Sequence, residues 1–362
     1  MKRHRALRTP LRPVGRRQVL GEAVGIAATL GAAVLWPRRV AAAVASATPT
    51  DLRWTDTVRQ RTLPLLLRLP AGDAPCAVVL HSHGLGGSRE GGAAWGQAWC
   101  DAGFAVLHLQ HPGSDSAIFR GGASGLLAAA SAEQLIARAG DVRFVLDELE
   151  RQQRTGAAQW QRLRLDALGL SGHSFGAVTA MAVAGQRYPV PGDLADPRPR
   201  AFIAFSPSPG PAGRSAMPLA QQFGAITRPM LLMTGSHDGD PLATPGGGRD
   251  AARSTGGYRA SVYEGLPRGQ RALLWLDGAD HISFGGGRPG EGDRDGGFLS
   301  RFVGLKRERA ASDGEQRHHA LIQRTSGLWW RAHLLGDNDA AAALRGPVAR
   351  EGLAGADRWA VD

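Results

Sequence analysis

The sequence has 362 residues, 43% of them hydrophobic, with 43 Lys+Arg against 32 Asp+Glu and a formal net charge of +11. That hydrophobic content excludes a disordered chain, and two cysteines, Cys76 and Cys100, exclude a disulfide-rich scaffold and lack the spacing of a structural zinc site. The charge is not the footprint of a nucleic-acid-binding face, because nine basic residues and one acid lie in residues 1–47 and the remainder carries only +3.

Residues 2–17 are basic, Val19–Trp36 is apolar apart from Glu22, and Ala41–Ala47 is a run of small residues. This layout predicts a signal peptide over residues 1–47, with small-x-small cleavage sites ending at Ala43, Ala45 or Ala47. Arg16-Arg17 ahead of Val19-Leu20 resembles a twin-arginine signal. The expected partner is therefore the twin-arginine export machinery, and the expected location is periplasmic or secreted. The alternative is a retained anchor. The apolar run is at the short edge for spanning a bilayer, and Glu22 is costly in lipid, so no stable membrane span is expected after cleavage.

Residues 48–362 alternate strand and helix signals. Leu52–Thr57 and Arg59–Leu69 predict an antiparallel edge hairpin. Cys76–His81, Phe104–Leu109, Leu165–Leu170, Ala201–Phe205, Met230–Met233 and Ala272–Leu276 are short apolar runs typical of buried strands. Between them, Ser131–Glu150 carries Leu135, Ile136, Val142, Val145, Leu146 and Leu149 at helical spacing, and Ala177–Ala184 reads as a helix. His318–Leu335 predicts a closing helix. Ser208–Gly224, Gly246–Gly257 and Gly285–Gly297 read as surface loops. The pattern predicts a single α/β domain with a mostly parallel sheet and helices on both faces. Cys76 opens a strand rising to one sheet edge and Cys100 ends the helix that returns, so both are expected at the opposite edge. An exported chain can close a Cys76–Cys100 disulfide there.

Gly172-His173-Ser174-Phe175-Gly176 matches G-x-S-x-G between a strand and a helix. In such an elbow the serine sits in a strained turn, flanking glycines let the neighbouring backbone approach, and the next N–H, that of Phe175, faces a bound carbonyl oxygen. A serine nucleophile needs a base, and the base an orienting acid. After Met230–Met233 the chain offers Asp238, with Asp240 as its rival. After Ala272–Leu276 it offers His281, with Asp277 and Asp280 as weaker acids in the same loop. His83-Gly84-Leu85-Gly86-Gly87 follows the Ala77–Leu80 strand, and its Leu85 N–H is the expected second oxyanion donor.

The segments Ser82–Gly87, His111-Pro112-Gly113-Ser114-Asp115-Ser116, Arg138–Leu149, the Ser174 elbow and Gly278–His281 resemble a serine α/β-hydrolase. More narrowly they resemble the platelet-activating-factor acetylhydrolase-like and predicted dienelactone hydrolase-like proteins. The resemblance implies the α/β-hydrolase fold, and an esterase with Ser174 as nucleophile and Leu85 and Phe175 as oxyanion donors. Those acetylhydrolases can carry the acid where Ser206 stands here, which weakens a carry-over of phospholipid specificity. Dienelactone hydrolases use a cysteine where this chain has Ser174.

The expected activity is hydrolysis of short-acyl carboxylic esters, small esters or lipid esters, without cofactor or metal. The segment between Leu109 and Ser131 is too short for a large apolar lid, and a serine site without one buries few methylenes. Alternatives are a cutinase-like polyester hydrolase, a lipase, or a non-catalytic hydrolase-fold binding protein. A metallohydrolase would draw on the His81–His83 pair with His111, His173, His237 and His281, but lacks further ligands at a recognised spacing. Trp95, Trp99, Trp329 and Trp330 suit a core or groove, or else a lipid-facing surface.

Overall fold

The computed structural model describes residues 48–209, 217–240, 255–287 and 313–362. The expected signal peptide and parts of the three expected glycine-rich loops lie outside these residues.

One nine-stranded sheet runs in the order β1-β2-β4-β3-β5-β6-β7-β8-β9. Strands β1 (Thr50–Asp56) and β2 (Arg61–Arg68) form the expected hairpin, and β2 pairs antiparallel with β4 (Ala105–Leu109). From β4 the sheet is parallel through β3 (Cys76–Ser82), β5 (Leu163–His173), β6 (Pro199–Phe205), β7 (Met230–His237) and β8 (Arg271–Asp280). A final strand, β9 (Arg358–Val361), pairs antiparallel with β8. It is only four residues long and left no periodic signal, so the closing segment is not purely helical as expected.

The helices are α1 (Ala93–Asp101), α2 (Gly122–Ala129), α3 (Ala132–Thr155), α4 (Ala158–Gln161), α5 (Phe175–Ala184), α6 (Leu219–Phe223), α7 (Gly257–Gly265), α8 (Asp313–Leu334) and α9 (Asn338–Arg345). Helix α3 starts where the Ser131 hydroxyl caps the Gln134 N–H, and it buries Leu135, Val142, Val145, Leu146 and Leu149 along one stripe. Helix α5 is almost wholly apolar and is buried nearly all round.

Because successive side chains of a strand point to opposite faces, the sheet separates two cores. Cys76, Val78 and Leu80 of β3 join the core that holds the apolar stripes of α3 and α5. Ala77 and Val79 join the opposite core, with Trp99 and Cys100 of α1 and Trp329 and Trp330 of α8. The same alternation corrects the expected disulfide. Cys76 and Cys100 lie on opposite faces of the sheet and both are free, buried thiols. Burial raises both thiol pKa values, that of Cys100 to about 11. Trp95, Trp99, Trp329 and Trp330 are all buried, so they are core residues and not a lipid-facing surface. Among the described residues, no helix is long and apolar enough to cross a membrane.

Candidate active site

The carboxyl ends of β3, β5, β7 and β8 converge at one edge of the parallel sheet, where open α/β sheets bind ligands. Ser174 occupies the turn between β5 and α5 with φ 55° and ψ −115°, a backbone conformation that strains any residue with a Cβ. Two glycines make the turn possible. A Cβ at Gly176 would overlap the Ser82 carbonyl oxygen, and one at Gly172 would overlap that of Gly176. Ser174 N–H donates to the Phe205 carbonyl (2.9 Å), which fixes the elbow to β6. Ser174 itself is half-buried.

His281 directly follows β8, which runs on through Asp277 to Asp280 where the sequence suggested a loop. Its Nδ1–H donates to Asp238 Oδ1 at 2.8 Å, and its Nε2 is buried without a hydrogen-bond partner. Of the four acids considered, Asp238 is thus the one on His281. Asp277 instead accepts from the Ser236 hydroxyl (2.9 Å), and Asp280 from Ser283 N–H (2.9 Å). Asp238, just past the end of β7, is fully buried, and its Oδ2 accepts from the Thr234 hydroxyl (2.9 Å). Burial alone would push its carboxyl pKa up. The Arg259 cation and the hydrogen bond from His281 more than offset this and hold it below the ordinary value. Ser206, at the end of β6, is buried beside Asp238. Burial, followed by the Arg259 cation, lowers the His281 pKa below its ordinary value, and the Asp238 carboxylate opposes them.

The loop after β3 crosses the elbow at Gly84, where a Cβ would come within 3.5 Å of the Ser174 Cβ. In that loop Gly86 N–H donates to Ser114 O (2.9 Å) and Gly87 N–H to Gly84 O (3.1 Å). Among the described residues, the N–H groups of Leu85 and of Phe175, the first residue of α5, donate to no backbone carbonyl, and no side chain caps α5. The Leu85 side chain joins Ile118, Leu126 and Ala129 in a small apolar cluster against which Phe119 and Phe175 pack. The Leu109–Ser131 connection is therefore no bare loop. A 3₁₀ turn (Ser116–Gly121) and α2 lay an apolar wall beside the elbow.

Under this loop lies a buried polar network. Arg138 of α3, fully buried, donates to the hydroxyls of Thr179 (2.9 Å), Ser114 (3.0 Å) and Ser82 (2.9 Å) and to the His83 carbonyl, and its guanidinium lies 4.6 Å from the centre of the Phe175 ring. Burial lowers the Arg138 pKa to about 9. His111 donates from Nδ1 to Asp141 Oδ2 (3.0 Å), and its Nε2 lies 2.9 Å from the Ser82 hydroxyl. Asp141 also takes Arg59 and Arg61, both at 2.9 Å, and its pKa falls to about 2 although burial opposes that shift.

The His81–His83 pair weighed for a metal has other partners. His81 donates to Ser171 Oγ (3.0 Å), and His83 donates to Gly84 O (2.6 Å) while accepting from His111 N–H (3.0 Å). Among the described residues, no group of three or more His, Cys, Asp or Glu is arranged to hold a metal.

Sequence reasoning missed Arg259. It stands on α7, a nine-residue helix bounded by glycines in a stretch that reads partly as loop. Arg138 and Asp141 were legible in principle: two charged residues three apart on the stripe that carries Leu135, Val142 and Leu149 mark a buried ion site.

Comparisons with known proteins fit this architecture. No protein-family model matches the chain, and no curated protein does. Among solved structures, a ferulic acid esterase from Streptomyces cinnamoneus superposes with a TM-score of 0.53 at 20% identity, over 81% of this chain and 93% of that one. The chain has the α/β-hydrolase fold.

Proposed function

We propose that the protein is a serine carboxylic-ester hydrolase that works through an acyl-enzyme. The observation that carries this reading is the strained Ser174 at the β5–α5 elbow together with a buried Asp238–His281 pair at the carboxyl ends of β7 and β8, on the same edge of the parallel sheet. Ser174 is the nucleophile, His281 the general base and Asp238 its orienter. The neutral imidazole takes the Ser174 proton as Oγ attacks the ester carbonyl, then gives it to the departing alcohol. Water repeats the cycle on the acyl-enzyme and releases the acid. The N–H groups of Leu85 and Phe175 hold the oxyanion, a contribution on the order of 10²–10³ in rate for each donor. No step in this cycle requires a cation. The likeness in fold to a ferulic acid esterase supports ester hydrolysis in general.

The substrate class is short-acyl esters. The apolar wall of Ile118, Leu126 and Phe119 is a small cluster. It can cover only a few methylenes, each worth about 0.8 kcal/mol. Export by the twin-arginine route, through residues 1–47, places the activity in the periplasm or outside the cell. Replacing Arg16-Arg17 by Lys-Lys should stop export, and unchanged export would reject that route.

A panel of p-nitrophenyl esters from acetyl to palmitoyl, with Ser174→Ala as control, tests the reading. Activity in the Ser174→Ala protein would overturn it. A continuous rise of kcat/KM to palmitoyl would replace short-acyl preference with a lipase. Hydrolysis of a polyester film would favour a cutinase-like enzyme.

A further inference from the structure

Arg259 has no role in the cycle above, yet its guanidinium is buried against the acid of the site. Its Nε lies 2.8 Å from both the carbonyl oxygen and Oδ1 of Asp238, the same oxygen that accepts from His281. Its remaining N–H groups donate to Ser206 O (2.9 Å), Pro207 O (3.1 Å) and Gly239 O (2.9 Å). One residue of α7 thereby ties the ends of β6 and β7 together, and one face of its guanidinium is covered by the Tyr258 ring, 5.0 Å to the centroid. Arg259 is 2% exposed, so water does not screen the pair.

We propose that Arg259 is a positioning residue of this site: it pins Asp238 and balances its charge, so that His281 stays unprotonated, and able to take the serine proton, in mildly acidic solution. The inference rests on the Ser174–His281–Asp238 reading above.

The argument is electrostatic. An aspartate beside an imidazole favours the imidazolium and so raises the pH at which the base is lost. Here a guanidinium shares the same carboxylate, and arginine keeps its charge at every pH of interest. The guanidinium then offsets much of the field that the carboxylate exerts on the imidazolium. The other ionisable neighbours of His281 do not restore that field. Asp280, at the end of β8, favours the imidazolium but ranks behind Arg259. His173, at the end of β5, is held neutral by burial, with a pKa of about 3. The geometry thus trades some stabilisation of the charged base for a base that is available at lower pH.

The experiment titrates the His281 ring by NMR in the intact Ser174→Ala protein, which needs no turnover, and records the acid limb of kcat/KM in the active enzyme. In the Ser174→Ala protein the His281 midpoint should lie below the ordinary histidine value of about 6.5. A midpoint at or above it would overturn the proposal. Adding Arg259→Gln or Arg259→Met should raise the midpoint, and the acid limb with it, by about one pH unit or more. Arg259→Lys, which keeps the charge but not the fork of hydrogen bonds, should leave the midpoint near the parent value while kcat falls. A merely structural arginine would lower kcat without moving either midpoint. An unchanged midpoint in a folded Gln or Met variant would therefore also overturn the proposal. Should neither variant fold, a Ser174→Ala midpoint at or above the ordinary value still overturns the proposal, and an Arg259→Lys midpoint near the parent value with a lower kcat still supports it. If no ester is turned over at any pH, the hydrolase reading falls while the His281 titration still tests Arg259.

Discussion

The imidazole of His173 donates from Nε2 to the carbonyl oxygen of His281 at 3.0 Å, and the two rings lie 4.7 Å apart. The residue that precedes the elbow serine therefore holds the backbone of the residue proposed as the base. A carbonyl only accepts, so His173 Nε2 bears the proton. Replacing His173 by Phe keeps a ring but removes the donor. The loop carrying His281 then loses its tie to β5, and kcat should fall by up to about 10², the cost of a misplacement near 1 Å. Single-turnover acylation rates test this, and a rate within twofold of wild type would show that the tie is dispensable.

The combination of a serine, a histidine and an aspartate occurs twice. Ser82, His111 and Asp141 form one chain, yet all three are fully buried and the Ser82 hydroxyl is also occupied by Arg138. The set proposed for catalysis includes the half-buried Ser174. A fluorophosphonate probe should label the wild type and Ser82→Ala but not Ser174→Ala. Labelling that survives Ser174→Ala would assign the nucleophile elsewhere.

Asp238→Asn keeps the size of the side chain but cannot hold the productive tautomer of His281. Turnover should drop by about 10⁴, as expected when a triad carboxylate becomes an amide. Asp240→Asn should leave most of the activity, since Asp238 is the acid at His281 Nδ1. The reverse ranking in measured kcat would move the acid to Asp240.

Much of this site was legible because its chemistry is carried by local patterns. The Ser174 elbow needs two glycines and a strand-to-helix change, and Asp238 and His281 each close a short apolar run. The edge hairpin and α3 were readable from alternation and helical spacing. What escaped depends on contacts between distant segments. Arg259 meets Asp238 only after α7 packs beside β7, and β9 finds β8 across some eighty residues of chain. The Cys76–Cys100 expectation failed at a finer level. Cys76 opens β3 and Cys100 lies in the last turn of α1, as the sequence predicts, but the pleat of β3 turns Cys76 to the face opposite Cys100.

Arg138→Met removes one guanidinium from four buried acceptors at once. Leaving a buried charged network incomplete costs about 3–5 kcal/mol, and the loop with Leu85 loses its tie to α5. Urea unfolding should show that drop with an unchanged slope. Arg138→Lys should recover only part of it, because a single ammonium cannot replace the planar fork. A loss under 1 kcal/mol would mean that the Ser82, Ser114 and Thr179 hydroxyls satisfy one another without the cation.

Acid should destabilise the fold before its carboxylates titrate. His81, His83, His108, His111 and His173 all have pKa values lowered chiefly by burial, to about 4 for His111 and about 3 for His108 and His173. In the unfolded chain each binds a proton near pH 6.5. The folded state is thus neutral where the unfolded state is charged, and stability rises with pH. The contribution is complete above pH 6.5 and is lost as pH falls through the folded values. Across that window each histidine contributes a slope of about 1.4 kcal/mol per pH unit. The lowered carboxyls of Asp141 and Asp238 add their loss only at still lower pH. Urea midpoints measured between pH 7.5 and 4.5 should therefore fall steeply below pH 6.5, well above the carboxylate range. A midpoint that stays flat down to pH 4.5 would show that these imidazoles gain protons without unfolding.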